Sequence, residues 1–383
     1  MIDQIYAKLS SRNIPALDGL RAIAVFLVIF YHFGFAQVPA GLGVLVFFVL
    51  SGFLITWLLI KENSDTDAVS LKSFYQRRAL RIFPGFYVFF SIGLGYLLWK
   101  RVPIDWPHTL SAFFYVSNYY QGLRQPIDSF VSHTWSLAVE EQFYLLWPII
   151  FVLFRNDLRK LTGVVSGLVL GIWAYRAVLQ FGIGVNQAYI YRALDTRFDH
   201  LLVGCLLAIS LKRRVINSVV RTVCTSRIFP AITISLLGIS VYFERSTAYR
   251  DVFGFIFDPI MVAILILQLV HFSAVRPWSW INSSPMQWLG RISYSLYLYQ
   301  QVSLHPARRL LARQSVPLQL FGAVAITVVL AALSHYAIER PFLKLKGRLA
   351  KAQHSDHFRH DNASAQTGDI ELRKTSVTSI GAE

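Results

Sequence analysis

Residues 14–32 read IPALDGLRAIAVFLVIFYH, an apolar segment that is long enough to begin crossing a bilayer and carries Arg21 near its start and His32 near its end. An α-helix turns about 100° per residue, so Arg21 and His32 lie on one face, about 16 Å apart along the axis. An ionisable group at membrane depth is costly unless it is paired or hydrated, which favours a water-filled path beside this face. The alternative is that Arg21 reaches the lipid headgroups and His32 lies at the opposite interface.

The composition is that of a membrane protein. Of the 383 residues, 55% are hydrophobic and only 15% are charged, whereas a soluble domain carries about 25% charged residues. The net charge of +16 arises from Lys and Arg in the loops between apolar runs, which is typical of a topology signal. No basic face of the kind that reads bases is present, so we expect membrane lipids and no nucleic acid as partners. Cys205 and Cys224 lack the spacing of metal ligands, and we expect no metal site.

Ten apolar segments approach the length of a membrane span, and they predict an all-α polytopic integral membrane helical bundle with about ten transmembrane helices. Ten spans place both termini on one side, and the excess of Lys and Arg there favours cytoplasmic termini in a multi-pass protein of the cytoplasmic (inner) membrane. We predict a membrane domain over residues 1–345 and, because the remainder is polar, a disordered cytoplasmic tail over residues 346–383. The segments cover residues 15–35, 41–60, 82–99, 134–154, 161–181, 197–211, 228–243, 253–272, 286–305 and 317–338.

The polar segment 61–81 ends in QRRALR and predicts a short amphipathic helix at the inner membrane surface. Arg78 and Arg81 are three residues apart and therefore share a helix face. Two guanidinium groups on one face can bind phosphates bidentately, as in a nucleotide-like head group. The alternative is a positively charged anchor without a ligand.

The segment 132–148 reads SHTWSLAVEEQFYLLWP and places Glu140, Tyr144 and Trp147 in an i, i+4, i+7 stripe. A carboxylate at this depth is costly if it faces lipid, so Glu140 is a candidate functional residue. The alternative is that the acids of this segment complement the dipole at a helix N-terminus. In the predicted topology this helix starts on the same side as the His32 end of the first span, and we expect Glu140, His32 and His133 to meet at one depth.

Three further positions carry weaker signals. Ser51 lies with Gly52 in mid-span, where small residues usually provide close packing. Arg197 and Asp199 precede the sixth segment, either in a salt-bridged loop or as a substrate contact on the outer side. The motif SYSLYL at residues 293–298 indicates helix packing with interfacial tyrosines.

Taken together, these motifs resemble the acyltransferase-3 family of polytopic membrane acyltransferases. The resemblance covers residues 14 to about 345, and it depends on the order and spacing of LDGLR with His32, FFVLSGFLI, RALR, WSL with Glu140 and Tyr144, TRFD, SYSLYL and ERPF. It implies an acyl-CoA-dependent O-acyltransferase. Such an enzyme moves an acyl group, above all acetyl, from cytoplasmic acyl-CoA to a hydroxyl of a carbohydrate-containing acceptor, such as a surface polysaccharide or a lipid-linked glycan.

The resemblance also suggests roles for the candidate residues. His32 is either the general base on the acceptor hydroxyl or a covalent acyl carrier, and the sequence does not separate these alternatives. Arg21 contacts the donor or orients the path along the first span, and Glu140 orients or charge-balances His32. The residues expected to bind acetyl-CoA or another acyl-CoA are Arg78, Arg81 and Ser51. Those expected to contact the substrate are His133, Tyr144, Arg197 and Asp199.

Two departures from the family pattern affect these expectations. Gln300 stands where the family often has a histidine after the SYSLYL motif. The tail is shorter than the soluble hydrolase-like domain of some members, so we expect the membrane domain to complete the reaction alone or to pass the group to a polysaccharide assembly partner.

Two other functions use the same residue types. A proton-coupled transporter also places His, Glu and Arg within the membrane, although the sequence has no visible inverted repeat of the kind that many transporters contain. A non-catalytic partner in polysaccharide assembly is the third interpretation.

Overall fold

The computed structural model describes residues 2–11, 14–124, 128–310 and 313–345, and the predicted tail over residues 346–383 lies outside them. All regular secondary structure of the described residues is helical. The α-helices are α1 (Ile2–Ser10), α2 (Pro15–His32), α3 (Ala40–Thr66), α4 (Leu71–Trp99), α5 (Trp106–Phe113), α6 (Ser117–Arg124), α7 (Trp135–Phe154), α8 (Leu158–Ala177), α9 (Gln187–Arg192), α10 (Leu194–Lys212), α11 (Asn217–Val223), α12 (Phe229–Phe243), α13 (Phe255–Phe272), α14 (Ser284–Arg291), α15 (Ser293–Leu310) and α16 (Val316–Ser334).

The prediction of an all-α polytopic membrane protein is confirmed. Within the described part of the chain, seven helical segments are long and apolar enough to cross a membrane, and α12 is a shorter apolar helix. The count of about ten spans stays a prediction, because the predicted segments 197–211, 228–243 and 286–305 have no counterpart among these seven. The seven segments are Pro15–His32, Ala40–Thr66, Leu71–Trp99, Ser132–Phe154, Leu158–Ile183, Tyr249–Phe272 and Val316–Leu345.

The prediction of a separate surface helix over residues 61–81 is wrong. Residues 61–66 are the last turns of α3, which ends at the left-handed residue Asp67 (φ 51°). The helix α4 begins at Leu71, capped by Ser70, and it continues into the bundle because the QRRALR stretch consists of strong helix formers. The charged residues at this connection pair locally, with Arg77 donating to Glu62 at 2.7 Å. Arg78 and Arg81 therefore belong to a long bundle helix.

The bundle is built around α3, whose most extensive contact is with α10. The two helices approach so closely that a Cβ atom on Gly52 would lie 1.9 Å from the carbonyl oxygen of Leu201, and one on Gly204 would lie 2.1 Å from that of Val49. Only glycine fits such a contact between two backbones. The small residues of the second span thus serve helix packing, as the sequence indicates for Gly52.

This contact predicts a specific stability effect. Gly52→Ala places a methyl group against backbone that has no flexible side chain to move, so we expect a loss of about 2 kcal/mol or more in unfolding free energy. Gly163→Ala in α8 is the matched control, because a Cβ atom there meets nothing within 4 Å, and alanine favours the helix. Thermal unfolding in detergent, followed by tryptophan fluorescence, measures both variants. Equal melting temperatures for Gly52→Ala and the unsubstituted protein would contradict the packing described.

Candidate active site

A cleft that we name the arginine cavity opens between α2, α3, α4, α7 and α15, with about 810 Å³ of empty space that is partly open to the outside. Its polar side chains include every one of the predicted donor-binding residues. Apolar and aromatic side chains, among them Phe47, Phe48 and Leu54, form the remaining wall. The polar lining residues are Arg21, Arg78, Arg81, Ser51, Ser136, Glu140, Tyr144, Ser293, Tyr294 and Tyr297.

The carboxylate of Glu140 is held in this cavity by two hydroxyl groups. The Ser51 hydroxyl donates to Glu140 Oε1 at 3.1 Å, and the Tyr144 hydroxyl lies 3.3 Å from Oε2 and 3.0 Å from Ser51 Oγ. Tyr144 has one hydroxyl proton and donates to one of these acceptors at a time. Ser51 therefore does more than allow close packing, because it fixes the position of a buried carboxylate.

Three guanidinium groups line the arginine cavity together with this carboxylate. Arg78 stacks over the Tyr144 ring at 4.5 Å, and Arg21 pairs with Asp18 at 3.5 Å. Arg78 and Arg21 both act electrostatically on Glu140. Among the ion pairs of the described residues, none within 4.0 Å includes Arg78 or Arg81. The cavity thus presents more guanidinium groups than carboxylates, which suits an anionic ligand with several phosphate oxygens.

A second and larger cleft, which we name the histidine cavity, lies at the other end of α2, with about 2220 Å³ of empty space that is also partly open to the outside. His32 and His133 both line it. The Nδ1 atom of His32 lies 2.9 Å from the carbonyl oxygen of Val28. Since a carbonyl only accepts, Nδ1 carries the proton, and the lone pair of a neutral His32 is on Nε2. This tautomer leaves Nε2 able to accept a proton from a ligand.

Aromatic and charged side chains complete the histidine cavity. The imidazole of His133 is buried, with its ring centroid 5.2 Å from the ring of Tyr297 and 5.6 Å from that of Phe89. The described residues contain no group of three or more His, Cys, Asp or Glu arranged for a metal ion. Other lining residues are Tyr31, Trp135, Tyr191, Tyr242, Asp128, Glu244, Arg192, Arg245 and Arg250.

The structure does not place Glu140 beside His32, so this part of the prediction is wrong. His133 precedes α7, and Glu140 follows it by seven residues, which corresponds to about 10 Å of helix rise toward the arginine cavity. Glu140 therefore shares a cavity with Arg21 and Arg78, while His32 shares one with His133. The sequence identified the correct face of α7, but not the depth at which each side chain lies.

Asp199 lies outside both cavities, in contrast to its predicted contact with substrate. It is fully buried and accepts hydrogen bonds from Arg176 at 2.8 Å and from the indole of Trp173 at 2.9 Å. Its carboxylate is also 3.1 Å from Nδ1 of His200. This closed network ties α8 to α10 and is structural.

Arg197 also lines neither cavity. Its guanidinium lies over the ring of Phe255 at 3.9 Å and beside Tyr191 at 5.1 Å. Because Tyr191 lines the histidine cavity, Arg197 supports the wall of that cavity and does not face its interior.

Among the lining residues that the sequence interpretation did not propose, two have a special position. Val44 and Tyr297 line both the arginine cavity and the histidine cavity, so they form the wall between them. Tyr297 belongs to the SYSLYL motif, whose tyrosines the sequence indicates as interfacial. Gln300, which stands where the family often has a histidine, is buried and donates to the carbonyl oxygen of Tyr297 at 3.1 Å. The position of Tyr297 within a motif was the available signal.

Comparison with known proteins identifies an acyltransferase family. A family model described as an acyltransferase domain, that of acyltransferase-3, matches residues 14–336. The chain is 31% identical over 361 residues to peptidoglycan O-acetyltransferase OatA of Listeria monocytogenes, covering 88% of this chain and 56% of that protein.

Two further relatives carry provisional names. A Staphylococcus aureus protein named provisionally as an O-acetyltransferase is 33% identical over 366 residues (87% of this chain, 58% of that protein). A Bacillus subtilis protein named provisionally as a peptidoglycan O-acetyltransferase is 34% identical over 362 residues (86% and 55%). The chain thus spans a little over half the length of these relatives, and no solved structure matches it.

The structural assignment of Asp199 is testable by stability. Asp199→Asn keeps the size of the side chain but leaves Arg176 as an uncompensated buried charge, which costs about 3 kcal/mol or more. Asp157→Asn is the control, because Asp157 pairs with the exposed Lys160 at 3.7 Å and asparagine also caps helices. We expect a large fall in melting temperature for Asp199→Asn and none for Asp157→Asn. An Asp199→Asn protein that melts like the unsubstituted one would show that the network is not structural.

Proposed function

This chain belongs to the acyltransferase-3 family, and from that premise we propose that it is a membrane O-acyltransferase that moves an acetyl group from acyl-CoA to a hydroxyl of a glycan. The observation that carries this proposal is the back-to-back arrangement of two chemically different cavities. One is cationic and suits phosphates, the other contains imidazoles, and they share Val44 and Tyr297 as a common wall. A group-transfer enzyme with donor and acceptor on different sides of a membrane needs this layout.

The arginine cavity is the proposed site of acyl-CoA. The phosphates of coenzyme A are anions that guanidinium groups bind bidentately, and Arg78 and Arg81 present such groups from one face of α4. Phe47 and Leu54 offer an apolar surface for the pantetheine arm. Because acyl-CoA is cytoplasmic, this assignment places the arginine cavity on the cytoplasmic side of the inner membrane. With the even number of spans that the sequence predicts, both termini then lie in the cytoplasm.

The transfer step uses Nε2 of His32. In this proposal Nε2 takes the proton of the acceptor hydroxyl while the hydroxyl oxygen attacks the thioester carbonyl. The new C–O bond forms, the C–S bond breaks, and coenzyme A leaves as a thiolate that receives the proton from His32. The hydrogen bond from Nδ1 to Val28 holds the imidazole in the tautomer that this step requires. An acyl-His32 intermediate gives the same products and is the alternative route.

Glu140 has a different role from the one that the sequence suggested. It lies among the guanidinium groups, where it is bonded to Ser51 and Tyr144. We assign it the partial neutralisation of the positive charge of Arg21 and Arg78, so that these guanidinium groups can lie together in the donor site. His133, whose imidazole lines the same cavity as His32, is the proposed contact on the acceptor side.

The acceptor assignment rests on the wall of the histidine cavity and on the names of the relatives. Aromatic side chains such as Trp135, Tyr31 and Tyr242 line the cavity, and their flat apolar faces with polar edges suit sugar rings. Two of the relatives are named peptidoglycan O-acetyltransferases. We therefore propose a glycan that contains N-acetylhexosamine as the acceptor class.

Substitution of His32 tests the chemical step. We expect His32→Gln to lower kcat by on the order of 10²–10⁴-fold, because general base catalysis contributes that much. The KM for acetyl-CoA should stay unchanged, since the donor occupies the other cavity. The assay follows free thiol and acetylated N-acetylglucosamine oligosaccharide with purified protein in detergent. His271→Gln, which lines neither cavity, is the control. Undiminished transfer by His32→Gln would refute the assignment, and absence of thiol release by the unsubstituted protein would favour a transporter.

Substitution of Arg78 tests the donor site. Lysine keeps the charge but loses the planar bidentate fork, and one lost charge-assisted hydrogen bond corresponds to about a tenfold rise in the KM for acetyl-CoA. The KM for the glycan should not change. Arg155→Lys is the matched control, since Arg155 follows the end of α7 and does not line the arginine cavity. A KM for acetyl-CoA that is equal in Arg78→Lys, Arg155→Lys and the unsubstituted protein would place the donor elsewhere.

A further inference from the structure

Two side chains from different helices are common to the linings of the arginine cavity and the histidine cavity. Val44 lies near the start of α3 and is 6% exposed, and Tyr297 lies in α15 and is 9% exposed. Both residues line both cavities. Because these two residues are common to both linings, any group that passes between the cavities by the shortest route passes beside them.

Tyr297 is fixed in this wall by its hydroxyl group. The hydroxyl donates to the carbonyl oxygen of His133 at 2.5 Å. Its oxygen is also 2.5 Å from Ser136 Oγ, and since its single proton is already used, Ser136 is the donor of that second hydrogen bond. His133 lines the histidine cavity and Ser136 lines the arginine cavity. The tyrosine ring is thus held across the boundary by contacts on both sides of it.

The spacing of the chemical groups requires the acyl group to reach this boundary. Arg21 and His32 are separated by about 16 Å along α2, whereas the reacting atoms must approach to about 3–3.5 Å. Coenzyme A held by guanidinium groups in the arginine cavity therefore extends its thioester toward Val44 and Tyr297. Its acyl chain must fit beside these two side chains at the moment of transfer.

We propose that Val44 and Tyr297 form a constriction that determines which acyl chain length the enzyme transfers, admitting acetyl and excluding longer chains such as butyryl. The inference rests on the proposed function and adds to it the size class of the transferred group. The isopropyl side chain of Val44 limits the width of the passage, and the hydrogen-bonded ring of Tyr297 forms a wall that does not move aside. One methylene group more or less in an apolar pocket changes discrimination by about 10- to 200-fold.

The test compares butyryl-CoA with acetyl-CoA as donors and N-acetylglucosamine oligosaccharide as acceptor. The readout is the ratio of kcat/KM for butyryl transfer to that for acetyl transfer. We expect Val44→Ala to raise this ratio about tenfold, and Val44→Ile, which adds one methylene, to lower it. Tyr297→Phe keeps the ring but loses both hydroxyl contacts, and we expect it to raise the ratio as the ring becomes free to move. A merely structural role would alter both donors equally.

The matched control is Val49→Ala on the same helix. Val49 is fully buried, its backbone carbonyl lies against Gly204 of α10, and it lines neither cavity. The ratio of butyryl to acetyl transfer for Val49→Ala should therefore equal that of the unsubstituted protein. If Val44→Ala does not yield monodisperse protein, Val44→Ile carries the test alone. Unchanged ratios in the Val44 variants, with acetyl transfer intact, would overturn the constriction while leaving the proposed function standing. Absence of acetyl transfer by the unsubstituted protein would instead overturn the proposed function.

Discussion

A charged side chain inside a membrane bundle is costly unless it is paired or faces a polar cavity, and the structure contains both arrangements. Arg176 and Asp199 are fully buried and satisfy each other at 2.8 Å, so they join helices without reaching a ligand. Arg21, Arg78 and Glu140 are gathered around a cleft, where Glu140 is held by Ser51 and Tyr144. The distinction between these arrangements separates structural charges from those available for chemistry.

The length of α2 determines how this chemistry is arranged. Arg21 and His32 lie at opposite ends of one helix and line different cavities. The α3–α10 contact through Gly52 and Gly204 fixes α3 beside them, so that Val44 becomes part of the wall between the cavities. In the proposed reaction, donor recognition and proton transfer are thereby separated along the helix axis. Transfer in the proposed reaction consequently depends on a short passage between the two cavities more than on any single residue.

The sequence predicted which helix face the candidate side chains lie on, but it did not predict their depth along the helix axis. The i, i+3 spacing of Arg78 and Arg81 correctly put both on one face, and the stripe through Glu140 and Tyr144 correctly pointed inward. The partners of Ser51 lie about 90 positions away in the chain, which no local pattern reveals. The continuation of α4 through the basic segment was also missed, because that helix boundary depends on the turn at Asp67.

The central claim is that the acyl group crosses from a cavity on one side of the membrane to a hydroxyl on the other, and a sidedness experiment tests it directly. Purified protein is reconstituted in sealed liposomes that enclose N-acetylglucosamine oligosaccharide, and radiolabelled acetyl-CoA, which does not cross bilayers, is added outside only. The account predicts labelled, acetylated oligosaccharide inside the liposomes. Label that appears only in oligosaccharide supplied on the same side as acetyl-CoA would contradict it.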